Sequence, residues 1–272
     1  MIQPKISVVT VCYNAVNDIE KTILSVINQT YPNVEYLIID GGSMDGTMDV
    51  VNRYKDKIDV IVSEPDKGIY DAMNKGARKS NGDYVQFLNA GDVLCDKNVF
   101  SSLFKEGISD DIDVLYGDII YVMSFGRFYK IPEAIDKFNV TFPIAHPASF
   151  VKRKLFDTFE FNTKYRIAAD FALLKQIYDN GGIFLYKKDI PIAIFDSISG
   201  VSSKSVFKAW YEFNLVLGNQ DSYFWKFKCF LKKERICLNE AFLSILDKLC
   251  HKCLQRILVQ KQLKNITFKL IS

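Results

Sequence analysis

The sequence has little histidine. Only His146 and His251 occur in 272 residues, which disfavours histidine-rich metal centres and most Ser-His-Asp machinery. Cysteine is also sparse. Cys12, Cys95, Cys229, Cys237, Cys250 and Cys253 are too few for a disulfide framework in a chain of this length, so a reducing cytoplasm is the expected compartment. No run of about 18 uncharged apolar residues occurs, and no membrane-spanning segment is expected. The opening Met1-Ile2-Gln3-Pro4-Lys5 leads straight into an apolar strand and lacks a signal-peptide layout. After that strand a dinucleotide fold would carry Gly-x-Gly-x-x-Gly; this chain has Val11-Cys12-Tyr13-Asn14-Ala15, so a dehydrogenase is disfavoured. A Walker lysine motif is missing too. With 35 basic and 32 acidic residues the net charge is only +3, too small an excess to make nucleic acid the expected partner. Internal repeats and low-complexity segments are absent.

What is there is the balance of a folded globular chain: 49% apolar and 25% charged residues. The length suits one large α/β domain, or a main domain with an appendage. The charge divides unevenly. Residues 203–272 hold 13 Lys and Arg against 5 Asp and Glu, a local +8 that leaves −5 on residues 1–202. An acidic body with a basic tail suggests metal or nucleotide chemistry in front and an anionic surface behind.

Along the chain, Ile6 to Val11 reads as a buried β-branched strand. Asn17 with Glu20 forms a capping-box pattern ahead of an amphipathic helix through Ile27. Val34 to Ile39 is a second strand ending at Asp40, followed by glycine punctuation and a helix through Tyr54. Val60 to Ser63 and Tyr84 to Leu88 are further strands, with a helix from about Tyr70 to Lys79 between them. This alternation predicts a parallel sheet flanked by helices. Beyond residue 100 the pattern changes to a strand pair, Val114–Tyr121 and Arg127–Ile131. A helix over Ala169–Tyr178 follows, then short strands at Ile183–Tyr186 and Ile192–Phe195. Ser197–Ser203 reads as a hinge before amphipathic helical stretches.

Ligands of an open parallel sheet bind beyond the carboxyl ends of its strands. Those ends carry Tyr13-Asn14, Asp40-Gly41-Gly42-Ser43, Glu64-Pro65-Asp66 and Asn89-Ala90-Gly91-Asp92. An acid-lined crevice without a phosphate loop can hold a diphosphate through a divalent cation. Asp92 suits such a cation, or it caps the helix near Asp96–Leu103. Asp40 either bonds a base or ribose or stabilises its glycine turn. Asp45 serves the turn, Asp71 a helix start, and Asp66 faces the crevice by position. Asp170, with the apolar Ile167-Ala168-Ala169 before it, is either a general base of raised pKa or a first-turn acid. His146, in the loop between Pro143 and Pro147, either contacts substrate or bonds backbone.

The ordered series of motifs resembles family 2 glycosyltransferases of the GT-A fold. It comprises Ile6 to Asn14, Ile38 to Thr47, Ser63 to Gly76, Phe87 to Asp92, Ile167 to Asp170 and Gly200-Val201-Ser202. The stretch Ser63-Glu-Pro-Asp-Lys-Gly-Ile-Tyr-Asp-Ala-Met-Asn-Lys-Gly76 is similar to the branch that builds bacterial O-antigen, capsule and colanic acid. The resemblance implies a Rossmann-like, mostly parallel α/β sheet flanked by helices over residues 1–202. Residues 203–272 are expected to form a basic, amphipathic helical extension. It assigns Asp40 to the uracil or ribose of a nucleotide sugar, Asp66 to the same pocket, Asp92 to Mn²⁺ or Mg²⁺ on the diphosphate, and Asp170 to deprotonation of the acceptor hydroxyl. Asn89 and Gly91 stand where many relatives have acids, so one carboxylate holds the metal, helped by Asn89 or water. A single displacement inverts the anomeric centre.

In the tail, Trp210, Tyr211, Phe213, Phe224, Trp225, Phe227 and Phe230 interleave with Lys208, Lys226, Lys228, Lys232, Lys233 and Arg235. That pattern suits an interfacial helix on anionic lipid and an acceptor carried on a membrane-bound polyprenyl diphosphate. The expected location is peripheral, on the inner face of a bacterial plasma membrane. The alternative is a helix pair packed on the catalytic domain that mediates a homodimer. Cys250-His251-Lys252-Cys253 lacks a second ligand pair for zinc, so apolar packing is expected there. Two other functions compete: a nucleotidyltransferase, whose glycine-rich basic activating loop is missing, and an inactive membrane-associated scaffold, against which Asp92 and Asp170 argue.

Overall fold

The computed structural model describes residues 3–123, 126–196, 205–219 and 268–271. Strands β1 (Ile6–Cys12), β2 (Val34–Asp40), β3 (Val60–Ser63) and β4 (Tyr84–Phe87) alternate with helices α1 (Ile19–Ile27), α2 (Thr47–Asn52) and α3 (Ile69–Lys79). Strand β1 pairs in parallel with β2 on one side and β4 on the other, and β2 pairs in parallel with β3. The register sets Cys12 beside Asp40 and Asp40 beside Ser63. The carboxyl ends of three strands therefore finish level, and their loops share one edge.

Helices cover both faces because the strands are apolar on both faces. Alternate residues of one strand point opposite ways: Ile6 and Val8 join one core with Ile19, Ile23, Phe100 and Phe104, whereas Val9 and Val11 join the other with Met73, Ala77, Phe87 and Phe171. The second half turns the sheet mixed. Strand β5 (Val93–Leu94) is followed by α4 (Val99–Phe104), β6 (Val114–Met123), β7 (Gly126–Lys130), β8 (Ser149–Lys152), α5 (Ala169–Asp179) and β9 (Phe184–Asp196). Strand β8 runs antiparallel to both β4 and β6, and β7 runs antiparallel to β6. Helix α6 (Val206–Val216) follows, and β10 (Phe268–Ile271) adds an antiparallel edge strand to β7.

Three local readings differ from the sequence expectation. The Asn17/Glu20 capping box does not form: α1 starts at Ile19 with no side-chain cap, and Glu20 accepts a 2.6 Å hydrogen bond from Tyr54 Oη instead. The two short strands expected near 183–195 are one 13-residue strand. It pairs in parallel with β6 across an irregularity at Asp118, where the partner steps from Lys187 to Pro191. Asp189 inside that step has φ +61°. Asp92 precedes β5 and is not the cap of α4, whose N-cap position is Asn98. Among the described residues no helix is long and apolar enough to cross a membrane. The hinge at 197–203, Gly200-Val201-Ser202 and the tail residues 220–267, with Cys229, Cys237, Cys250 and Cys253, lie outside the described residues.

Candidate active site

Asp40 ends β2 fully buried, and its carboxylate is occupied. It accepts hydrogen bonds from Ser43 Oγ (2.5 Å), Ser43 N (3.0 Å), Gly42 N (3.2 Å) and Ser63 Oγ (2.6 Å). Burial pushes its pKa up, but these donors outweigh burial and hold it below the usual carboxylate range. In this geometry Asp40 is the acid that ties the Gly41–Ser43 turn to β3. Asp45 does similar work, accepting from Val16 N (3.1 Å) and from Thr47 N and Oγ1 (3.0 and 2.5 Å). Asn14, at φ +48°, accepts from Met44 N through its side chain (3.0 Å). The loops after β1 and β2 are thereby locked into one rim.

Asp66 stands on that rim. A Cβ at Gly41 would lie 2.5 Å from Asp66 Oδ2 and 3.3 Å from the Tyr13 ring. The missing side chain at 41 is what lets the Asp66 carboxylate lie over the end of β2. Asp66 Oδ1 accepts from Gly68 N at 2.7 Å, and Oδ2 takes no hydrogen bond from the described residues. Tyr13 beside it is 63% exposed although its neighbours Val11 and Cys12 are buried. Tyr13 and Asp66 thus flank Gly41, and an exposed ring beside an available carboxylate oxygen is chemistry suited to a flat base with an N–H edge.

Asp92 follows the end of β4. Gly91, at φ +106°, makes the turn, and Thr22 Oγ1 clamps it by accepting from Gly91 N (2.9 Å) and donating to Asp92 O (2.7 Å). Pairing of β5 with β9 brings Asp196 alongside, and Asp196 N donates to Asp92 Oδ1 at 3.2 Å. Asp92 is 4% exposed. Burial lifts its pKa to about 8; the Asp196 carboxylate adds to the rise, while the Asp196 N–H and Lys21 oppose it. Beside it, Asn89 Oδ1 is buried without a hydrogen-bond partner. A carboxylate short of positive charge and an orphaned amide oxygen on one turn fit a hard divalent cation. Among the described residues no group of three or more His, Cys, Asp and Glu offers an all-protein cage, so such a cation would rely on phosphate oxygens and water for its remaining ligands.

Asp170 occupies the first turn of α5, half-buried. Burial raises its pKa to about 6, against hydrogen bonds from Phe171 N (2.8 Å) and Tyr70 Oη (3.2 Å), and the Glu212 carboxylate adds to the rise. The Tyr121 phenol is pushed up to about 12, by burial first and then by the Asp170 and Asp92 carboxylates. Both carboxylates thus act electrostatically on one phenol of β6.

His146 sits among core aromatics. It is 9% exposed, its ring stacks on Phe87 (centroids 5.5 Å apart) and meets the Phe161 edge (5.8 Å), and Nε2 is buried without a partner. Burial lowers its pKa to about 4, so it is a neutral ring of the aromatic core. The sequence marks Tyr13 only as a strand-end residue without a role and does not mark Tyr70, Asp196 or Glu212 as site residues. The exposed aromatic directly after a buried strand was a signal for Tyr13. The other three reach the site only through long-range packing.

A family model described as "Glycosyl transferase family 2" matches residues 7–189. A PGL/p-HBAD biosynthesis glycosyltransferase of Mycobacterium bovis is 27% identical over 216 residues, covering 76% of this chain and 83% of the relative. TuaG of Bacillus subtilis, a glycosyltransferase named for teichuronic acid biosynthesis, is 39% identical over 93 residues, 33% of this chain and 37% of the relative. Among solved structures, the mannosyltransferase PcManGT of Pyrobaculum calidifontis, in complex with GDP-Man and Mn²⁺, superposes with a TM-score of 0.63 at 17% identity. That superposition covers 82% of this chain and 66% of PcManGT, and it shows the shared GT-A fold.

Proposed function

Because the chain belongs to glycosyl transferase family 2, and is thus a glycosyltransferase, we propose its finer activity. It moves a sugar from a nucleotide-diphosphate sugar, a UDP-sugar by preference, to a hydroxyl of a lipid-linked saccharide in bacterial surface polysaccharide synthesis, with inversion. The observation that carries this reading is the Asn89–Asp92 turn, where a buried carboxyl group raised in pKa and an unpartnered amide oxygen stand together after β4. Asp170, likewise raised, at the head of α5 and the Tyr13/Asp66 pair flanking Gly41 support it. The polysaccharide setting is supported by the name of TuaG.

In this reading Tyr13 stacks on the base, and Asp66 Oδ2 accepts its ring N–H. One available oxygen matches the single N–H of uracil, while Asp40 holds the loop beneath. Asp92 and Asn89 would hold Mn²⁺ or Mg²⁺, which supplies positive charge to the diphosphate as it leaves. Asp170, ionised at neutral pH and aligned by Tyr70, takes the proton of the acceptor hydroxyl. With the base on the acceptor side and the leaving group opposite, one displacement inverts the anomeric carbon. The basic, aromatic tail would bring the enzyme to the anionic membrane that carries the acceptor.

The test is a panel of UDP-, GDP- and dTDP-sugars, each assayed for transfer or slow hydrolysis with and without divalent metal. UDP-sugars should be used most efficiently, and Asp66→Asn should erode that preference. A GDP-sugar used best, as the ligand of PcManGT would suggest, would overturn the uracil assignment and leave the transferase reading standing.

A further inference from the structure

Helix α6 lies against the N-terminal turn of α5, and two of its consecutive residues grip the segment that bears Asp170. Glu212 is 6% exposed. Its carboxylate accepts from Arg166 N (3.1 Å to Oε1, 2.9 Å to Oε2), Ile167 N (2.7 Å) and Ala168 N (3.2 Å). Ala168 is the N-cap position of α5 and has no side chain able to cap, so the amides entering this helix find their acceptor on another helix. Next along α6, the Phe213 ring stacks on Phe171 with centroids 4.2 Å apart. Residues on both sides of Asp170 are thus fixed by residues 212 and 213. The same segment is also held by Tyr70 Oη, whose one proton is shared between Ile167 O at 2.6 Å and Asp170 Oδ1 at 3.2 Å.

We infer that Glu212 is a positioning residue for Asp170: it orders the peptide run 166–168, and so sets where the Asp170 carboxylate meets the acceptor hydroxyl. The inference rests on the reading of Asp170 as the base. It makes α6 part of the catalytic machinery and places the start of any separable tail beyond it. A second consequence is electrostatic. The titratable groups that act on Asp170 are the Tyr70 phenol from α3, hydrogen-bonded to it, and, through their fields, the Tyr121 phenol of β6 and Glu212 of α6, and of these Glu212 brings the negative charge. Removing that charge eases ionisation of Asp170 and moves the acidic limb of the kcat profile to lower pH.

The experiment measures kcat, donor KM and the pH profile of the full-length chain carrying Glu212→Gln, Glu212→Asp, Asp170→Asn and the Glu212→Gln/Asp170→Asn pair. Glu212→Gln should lower kcat on the order of tenfold, the scale of a misplaced catalytic group, with donor KM little changed. Its acidic limb should move down in pH. Glu212→Asp keeps the charge but retracts it by one methylene, so kcat should fall while the limb stays; this variant also serves if the glutamine variant does not fold. In the Asp170→Asn background, Glu212→Gln should cost nothing further, because a residue acting through the base has nothing left to position. Losses that multiply in the pair would overturn the inference and make Glu212 a stabilising cap alone. So would an unchanged kcat and limb in either single variant. Full activity of Asp170→Asn would instead overturn the base reading, and this inference with it.

Discussion

Asp92 and Asp170 are both carboxyl groups held above their ordinary range by burial, and the two shifts call for different tests. With a pKa near 8, Asp92 is largely protonated at pH 7 until a cation replaces its proton. Cation binding must then release that proton, so apparent Mn²⁺ affinity should rise with pH up to about 8, by at most about tenfold per unit. Calorimetric titration of the enzyme with Mn²⁺ and UDP from pH 6 to 8 reads this directly. Asp92→Ala should remove both the slope and transfer, and undiminished turnover in EDTA would sink the metal role. For Asp170 the folded pKa of about 6 exceeds the unfolded carboxylate value. Below about pH 4 the group is protonated in both states and costs nothing. As pH rises from about 4 to 6 the folded state resists ionisation, and stability is lost; above 6 the penalty is constant. Asp170→Asn should therefore stabilise the protein by up to about 3 kcal/mol at pH 7 and by almost nothing at pH 4. The same variant should lower kcat by about 10²-fold or more, because an amide accepts no proton. A Tm gain that is equal at both pH values would reject the raised pKa.

At the scale of elements, the helices sit where periodicity and small residues let them. Gly76 in α3 faces β1 so closely that an added Cβ would lie 2.4 Å from Val9 Cγ1, in the fully buried centre of the sheet. Gly76→Ala should destabilise by about 1–2 kcal/mol in urea unfolding, the overpacking cost being partly offset by alanine's better helix propensity. An unchanged midpoint would mean that α3 is free to shift off the sheet. Periodicity made β1 through β4 and their helices legible, because each strand is apolar on both faces and each helix shows one stripe. It split β9 into two short strands, because Lys187, Lys188 and Asp189 interrupt the apolar pattern and Pro191 offers no N–H. Pairing with β6 carries the strand through that break. There the Asp118 carboxylate accepts from the Tyr129 and Tyr186 hydroxyls, partners 11 and 68 residues away. The site was legible to the same degree. Asp66, Asp92 and Asp170 stand at strand ends or in a motif, where local sequence marks them. Tyr70 meets Asp170 across 100 residues and Glu212 is one of five acids in a basic segment with no motif around it; only the fold discloses their use.

Over the whole molecule, the −5 carried by residues 1–202 gives way to the +8 carried by residues 203–272 just ahead of α6. Helix α6 packs on the catalytic core through Glu212 and Phe213, so cutting the chain at 203 would damage the Asp170 loop along with the tail. A charge reversal beyond α6 separates the two effects. Lys226, Lys228, Lys232 and Lys233 interleave in sequence with Phe224, Trp225, Phe227 and Phe230. If this stretch holds the enzyme on an anionic bilayer, each lysine near the surface contributes on the order of 1 kcal/mol. Changing all four to Glu should then reduce sedimentation with phosphatidylserine-containing vesicles by at least about 100-fold in partition coefficient. The change should leave transfer to a short soluble acceptor near the wild-type rate, because the motif residues and Glu212 are untouched. Transfer to a polyprenyl-diphosphate-linked acceptor in vesicles should fall in step with binding. Raising salt should weaken wild-type sedimentation in the same direction, since screening shortens the reach of the tail's charge. A full-length protein that ignores anionic vesicles at low salt would reject the membrane role. The basic aromatic stretch would then serve protein packing, and the four substitutions should show themselves in oligomeric state instead.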